Sequence, residues 1–171
     1  AEHMAARGLT GPRPESESTV LKTETEMHRG QVRMAYRLAA THTGKLMFVK
    51  GIGWHHWDGT RWAVDERGHA KRAVLQTLKE AITESVGDTT DHGKTLRSDV
   101  LKCESANGID GVLTVAASLA EFACTVADLD IDPWLLNCAN GTLDLRTMQL
   151  SPHDPADRIT KVTRAAHNPG T

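Results

Sequence analysis

Two turn dipeptides constrain the chain more than anything else in it. Asp58-Gly59 separates the aromatic runs 54–57 and 62–64, and Asn140-Gly141 separates the apolar run 134–138 from 142–145. Such pairs favour tight hairpins, because the turn needs positive φ. Each one therefore predicts an antiparallel strand pair at a fixed place. The run 46–49 precedes the first pair across Gly51 and Gly53, which extends it to a three-stranded meander. Leu150 begins a third short segment after the second pair, and Pro152 stops it. Elsewhere the apolar residues recur at helical spacing. Met27, Met34 and Leu38, flanked by Val32, Ala35 and Ala39, predict a helix over 25–42 that stops at Gly44. Thr23 and Glu26 have capping-box spacing at its start. Ala70, Val74, Leu78, Ala81 and Ile82 predict a helix over 69–86, and a polar loop follows over 87–94. A weaker helix is predicted over 95–105, and another over 111–125 with Asp110 as its N-cap and Val112, Val115, Ala116, Leu119, Phe122 and Ala123 inward. The expected fold class is α+β: an N-terminal helix, a three-stranded antiparallel meander, two to three helices and a C-terminal β-hairpin region.

A chain of 171 residues fits one domain. Ala1 to Met4 read as an expression scar, and the stretch through about Thr19 is rich in Gly, Pro, Arg, Ser and Glu. Residues 1–22 are therefore expected to be a scar and flexible lead-in, and 23–171 a single domain. With no apolar run near membrane-spanning length and no signal-peptide pattern, the expected location is the cytoplasm, with no membrane partner. A net charge of −2 and a pI near 6.5 argue against a domain that grips nucleic acid strongly on its own. Any DNA contact would need a local patch or several copies acting together. Cys103, Cys124 and Cys138 are odd in number and lack C-x-x-C spacing, so they are expected to be reduced and buried.

Several patterns suggest chemistry. Gly93-Lys94-Thr95 resembles the end of a phosphate-binding loop, but the required upstream glycine position holds Asp88 and a helix precedes it where a strand is needed. Asp128, Asp130 and Asp132 alternate, and on a strand they could point one way and hold Mg²⁺ for nucleotidyl transfer. As a calcium loop they fail, with Pro133 at the glycine position and Ala139 at the glutamate position. His55 and His56 on a strand point to opposite faces and cannot easily share an ion, so no metal site is expected. Trp54, Trp57 and Trp62 could stack unpaired bases, but with only seven aromatics in the chain a core role is favoured for at least two of them. The basic residues Arg146, Arg158, Lys161 and Arg164, with Lys71 and Arg72, are the candidate DNA contacts. Asp144 and Arg146 stand two apart on a strand and are expected to pair with each other or with neighbours.

Two stretches together carry a family resemblance. One is Trp54-His55-His56-Trp57-Asp58-Gly59-Thr60-Arg61-Trp62. The other runs Asp132-Pro133-Trp134-Leu135-Leu136-Asn137, then Asn140 through Thr147, then Pro152-His153 and Thr160-Lys161. Over about residues 26–171 the chain resembles the domain that precedes the superfamily 3 helicase module in phage and plasmid primase–helicases, with a related domain in the poxvirus primase–helicase. The resemblance marks Trp54, Trp57, Gly59, Trp62, Asn140, Gly141, Asp144, Arg146, Pro152 and His153 as motif positions with structural roles. The chain departs from the pattern at Met148, where the family has Gly, and at His167-Asn168-Pro169, where it has Tyr-Asp-Pro. The resemblance implies a non-catalytic accessory domain that helps assemble a helicase ring and guide DNA. Its partners would be DNA held weakly or multivalently, a downstream motor module and further copies of itself. No cofactor is expected in this domain; the motor of the parent protein would use ATP and Mg²⁺. Two other readings stay open: a metal-dependent nucleotidyl transferase using Asp128, Asp130 and Asp132, and a protein-interaction module that never touches DNA.

Overall fold

A computed structural model describes residues 15–168 and Gly170, with side chains from residue 19 onward. The expected scar at residues 1–4 lies outside the described residues. The element order is α1 (Glu15–Met27), α2 (Gly30–His42), β1 (Leu46–Val49), β2 (Gly53–Trp57), β3 (Trp62–Val64), α3 (His69–Gly87), α4 (Asp91–Cys103), α5 (Ala106–Ala116), β4 (Ala123–Cys124), β5 (Leu135–Cys138), β6 (Gly141–Asp144) and β7 (Gln149–Ser151). This is the α+β class expected. Two sheets form, one ordered β3-β2-β1-β4 and the other β5-β6-β7.

The N-terminal helix is two helices. Gly30 adopts φ +58, a left-handed turn that breaks the period read as continuous over 25–42. The lead-in expected through residue 22 is helical from Glu15, and Leu21 is buried in the core. Thr23 is consequently mid-helix: its hydroxyl donates to the Thr19 carbonyl rather than capping.

α2 is the central element and packs against each of the other four helices. Its Met34, Ala35, Leu38 and Ala39 meet Val74 and Leu78 of α3, Leu96 and Val100 of α4, and Val112 and Ala116 of α5 in one apolar cluster. Alanines at 35, 39, 73, 81 and 116 let these helix axes approach closely. α4 begins four residues before the expected start at 95. Gly93 lies in its first turn, where an added Cβ would sit 2.0 Å from the Asp88 carbonyl oxygen, and Lys94 pairs with Asp91. That glycine permits close backbone packing, and no phosphate loop forms there. α5 is capped by Ser105, whose hydroxyl accepts from Gly108 N, and not by Asp110. It ends at Ala116. Tight turns continue its apolar rhythm to Phe122 through the bonds Leu119 N to Ala116 O and Phe122 N to Leu119 O, which is why spacing alone reads a helix to 125.

The meander forms as expected, with Trp57 opposite Trp62 and the connecting loop spanning 58–61. The Asp58 carboxylate closes that loop by accepting from the backbone N–H groups of Thr60 and Arg61. β4 adds a parallel strand against β1, through Phe48 N to Phe122 O and Lys50 N to Cys124 O. Trp54 packs edge-on against Phe48 and Phe122 in the helical core, and Trp57 packs edge-on against the buried Trp62 in a second cluster. All three therefore serve packing. The cysteines are free and buried.

A buried charge fixes the break between α1 and α2. Asp99 of α4, 1% exposed, accepts from Arg29 Nε at 2.8 Å, from Arg33 Nη1 at 3.2 Å and from the backbone N–H of Gly30. Burial pushes its carboxyl up, but these bonds outweigh burial and hold it below its ordinary value. Arg33 is itself only 2% exposed. Removing one partner of such a pair leaves a buried charge uncompensated. Asp99→Ala is expected to lower the unfolding free energy by about 3–5 kcal/mol, read as a reduced urea midpoint with an unchanged slope. A loss below 1 kcal/mol would show that Arg33 finds solvent without help.

Candidate functional site

The small sheet is built from the motif stretch 134–151. Leu136 lies opposite Leu143, and Leu143 opposite Leu150, so three leucines form a row across one face. Trp134 and Leu145 extend that face, paired through Leu145 N to Trp134 O. Leu143, on the central strand, is buried. Trp134 is 52% exposed, and Leu136, Leu145 and Leu150 are between 38 and 39%. Met148, on the adjoining turn, is exposed too.

The opposite face is polar and buried: Asn137, Thr142 and Asp144 all turn toward the rest of the domain. Asn137 is the bolt. Its amide donates to the Thr60 carbonyl of the meander loop and to the Lys161 carbonyl of the C-terminal segment, both at 2.9 Å, and its oxygen faces the Thr142 hydroxyl at 3.4 Å. The C-terminal segment completes the join. Trp62 N donates to Ile159 O, Trp62 Nε1 to Pro155 O and Arg61 Nη1 to Thr160 O, while Thr163 N donates to Asn137 O. The two stretches that carry the resemblance thus meet in space.

Other motif residues make contacts within the domain. The two-residue turn between β5 and β6 is Ala139-Asn140, one position earlier than expected, since Cys138 pairs with Gly141. The Asn140 side chain instead ties the turn to His167, accepting from its N–H and donating to its carbonyl. Gly141 is needed for space: an added Cβ would lie 2.4 Å from the Ser151 carbonyl oxygen. Arg146 lies in the β6–β7 turn rather than on a strand. Its guanidinium grips Asp144 through Nε at 3.0 Å and Nη2 at 3.1 Å, and reaches Asp132 at 2.9 Å. Met148 holds φ +58, so the position where the family has glycine keeps its left-handed geometry at a cost of about 1–2 kcal/mol. Pro152 follows β7. Both ring nitrogens of His153 are buried without a hydrogen-bond partner among the described residues.

The candidate basic residues divide into engaged and unengaged groups. Arg146 is held by Asp144 and Asp132, Lys71 pairs with Asp110 at 2.8 Å, and Arg158 lies 4.0 Å from Asp128. Arg72 donates to the Arg67 carbonyl. Lys161 and Arg164, both exposed, form no ion pair among the described residues. The three acids do not converge, because they lie in loops instead of on one strand. Asp128 accepts from the Thr125 backbone and hydroxyl, Asp130 from the Thr160 backbone and hydroxyl, and Asp132 from Trp134 N and Arg146. A cleft of about 380 Å³ between β1, β4 and the Pro155 turn is lined by Met47, Trp62, Phe122, Cys124 and Arg158. Burial pushes its one thiol, Cys124, above the ordinary value, which makes it a poor nucleophile.

The fold is thus an α+β domain whose motif residues are spent on stitching two sheets together and on presenting an apolar face. The family model described as D5 N terminal like matches residues 35–170, and the chain belongs to that family of N-terminal domains of primase–helicase proteins. No match was found among curated proteins. Among the described residues, no helix is long and apolar enough to cross a membrane.

If Asn137 is the bolt, shortening it leaves two part-buried carbonyls without their amide donor. Asn137→Ala is expected to cost about 1–3 kcal/mol. Hydrogen exchange should rise at Thr163 and Thr142 well before it rises in α2. Uniform loss of protection across both regions would show that Asn137 does not join them.

Proposed function

We propose that this domain is a non-catalytic accessory unit of a primase–helicase, and that it seats the adjoining motor module of the same polypeptide on the apolar face of β5–β7. The observation that carries this reading is the outward row of Trp134, Leu136, Leu145 and Leu150 above a buried polar face. An antiparallel sheet with one wet face ordinarily shows the reverse arrangement. The exposed apolar area amounts to a few hundred Å², the range in which patches are commonly functional. It falls short of the roughly 800 Å² per partner of a free-standing complex. An occupant tethered in the same chain needs no more, since tethering supplies the effective concentration. The Arg146–Asp132 pair forms a charged rim at one end of the face.

Catalysis draws no support from the acids at 128, 130 and 132, each of which is taken up by separate partners. In this reading ATP and Mg²⁺ belong to the motor, the protein works in the cytoplasm, and copies associate through the ring the motor builds. The test is binding of this domain to the separately produced motor module. Leu136→Lys with Leu150→Lys is expected to weaken that binding at least tenfold, while Leu75→Lys, on the exposed side of α3, leaves it unchanged. Equal binding by both variants overturns the docking face.

DNA guidance is the subordinate part. With Arg146, Lys71 and Arg158 beside carboxylates, phosphate contact falls to Lys161 and Arg164. Anisotropy of labelled single-stranded DNA should show weak, salt-sensitive binding, and the Lys161→Ala/Arg164→Ala pair should flatten the log–log salt slope by about 1.5 for single strands. An unchanged slope would move DNA contact off this segment.

A further inference from the structure

Where β2 passes the start of α3, two imidazoles and a carboxylate come together. His56 lies within β2, Asp65 just beyond β3, and His69 is the first residue of α3. One ligand atom from each lies within 4.8 Å of the other two. The His56 and His69 rings stack with centroids 3.7 Å apart and planes 10° from parallel, and His69 Nδ1 is 3.0 Å from Asp65 Oδ1. Nδ1 of His56 is buried and has no hydrogen-bond partner among the described residues.

Asp65 has a structural task. It accepts from the backbone N–H groups of His69 and Ala70 at 2.8 Å each and so caps α3. Burial pushes its carboxyl up, but those backbone bonds and the His69 ring hold it down at about 2. Capping accounts for the carboxylate and leaves the imidazole pair unexplained. An orphaned buried ring nitrogen is unfavourable, and the stacked partner adds no hydrogen bond to offset it. Burial first, then the neighbouring His69, push the His56 ring below its ordinary value.

We propose that His56, Asp65 and His69 bind one divalent transition-metal ion, zinc by ligand chemistry, with the remaining coordination filled by water. Imidazole nitrogens with a carboxylate oxygen suit zinc, whereas magnesium and calcium prefer all-oxygen shells. Lone pairs lie in the ring planes, so two parallel rings do not aim at one point. On loading, the His69 ring turns out of the stack and its hydrogen bond to Asp65 gives way to the ion. The ligands are gathered in advance but not yet convergent. His69 is the free member of the set, on the first turn of a helix and about one-third exposed. The bound ion ties the meander to α3. His55 is not the partner of His56 in this set. His55 points the other way, is buried and is bonded to Gly53 O, and the relevant partners come from the β3–α3 connection.

The experiment is zinc titration of the chelator-stripped protein against a competing chromophoric chelator, with cobalt(II) absorption as a second probe. One equivalent is expected to bind and to raise the melting temperature. His69→Gln and His56→Gln should each weaken binding at least tenfold, and His28→Gln, in the connection between α1 and α2 where its ring meets Glu24 and Tyr36, should not. Because His69 is partly exposed, His69→Gln keeps the fold and is decisive even if His56→Gln unfolds. Absence of binding at equimolar zinc overturns the proposal. So does full binding by the His56→Gln/His69→Gln double variant, which would place the ion elsewhere.

Discussion

A single carboxylate sets the geometry on which the helical half depends. Asp99 reaches from α4 to the junction of α1 and α2 and meets two guanidinium groups and the first N–H of α2. It acts as an N-cap supplied from a remote position, placing negative charge where the helix macrodipole favours it. Its bond to the Gly30 N–H holds the left-handed turn at which the helical path breaks. With it, α1 folds back over α2, and α2 is free to become the helix every other helix touches. The network continues outward. Arg33 Nη2 lies 3.0 Å from His92 Nε2, and His92 Nδ1 bonds the Asp88 carboxylate. That hydrogen bond, the largest influence on His92, holds its pKa above the ordinary value. The start of α4 is thereby tied to the same junction.

This dependence explains what could be read from the sequence. The long helices were legible because periodicity is local: α3 differs from its expected span by one residue. The meander was legible because Trp57, Asp58-Gly59 and Trp62 sit within one short stretch. The break at Gly30 was not, because its cause lies about seventy residues away. β4 was not, because two residues beside β1 are a strand only in the company of Phe48 and Lys50. Periodicity also could not locate the end of α5, since the tight turns after Ala116 present Leu119 and Phe122 to the same core.

The candidate site was legible as a motif and illegible as a surface. The alternation of Trp134, Leu136 and Asn137 announces a two-faced strand without saying which face is wet. The ordinary assumption turns leucines inward. Here Asn137 turns inward because its amide can satisfy two carbonyls that belong to other segments, and a side chain so placed drives Leu136 outward. The same reasoning covers Arg146. Its charge suggested a phosphate contact, whereas its geometry closes a turn around Asp144 and Asp132. Sequence shows which residues carry charge; the fold decides which of those charges are already spent.

β7 is one of the two outer strands of its sheet and only three residues long. Outer strands offer a ladder that a foreign chain can extend, and an apolar face beside such a ladder is the usual start of fibrous growth. Pro152 follows at once and has no N–H to contribute, so the ladder stops there. The sheet can therefore be adhesive across its face while remaining unreadable along its rim. In a molecule that displays leucines to the outside, that separation decides whether contact ends in a defined assembly or in a polymer.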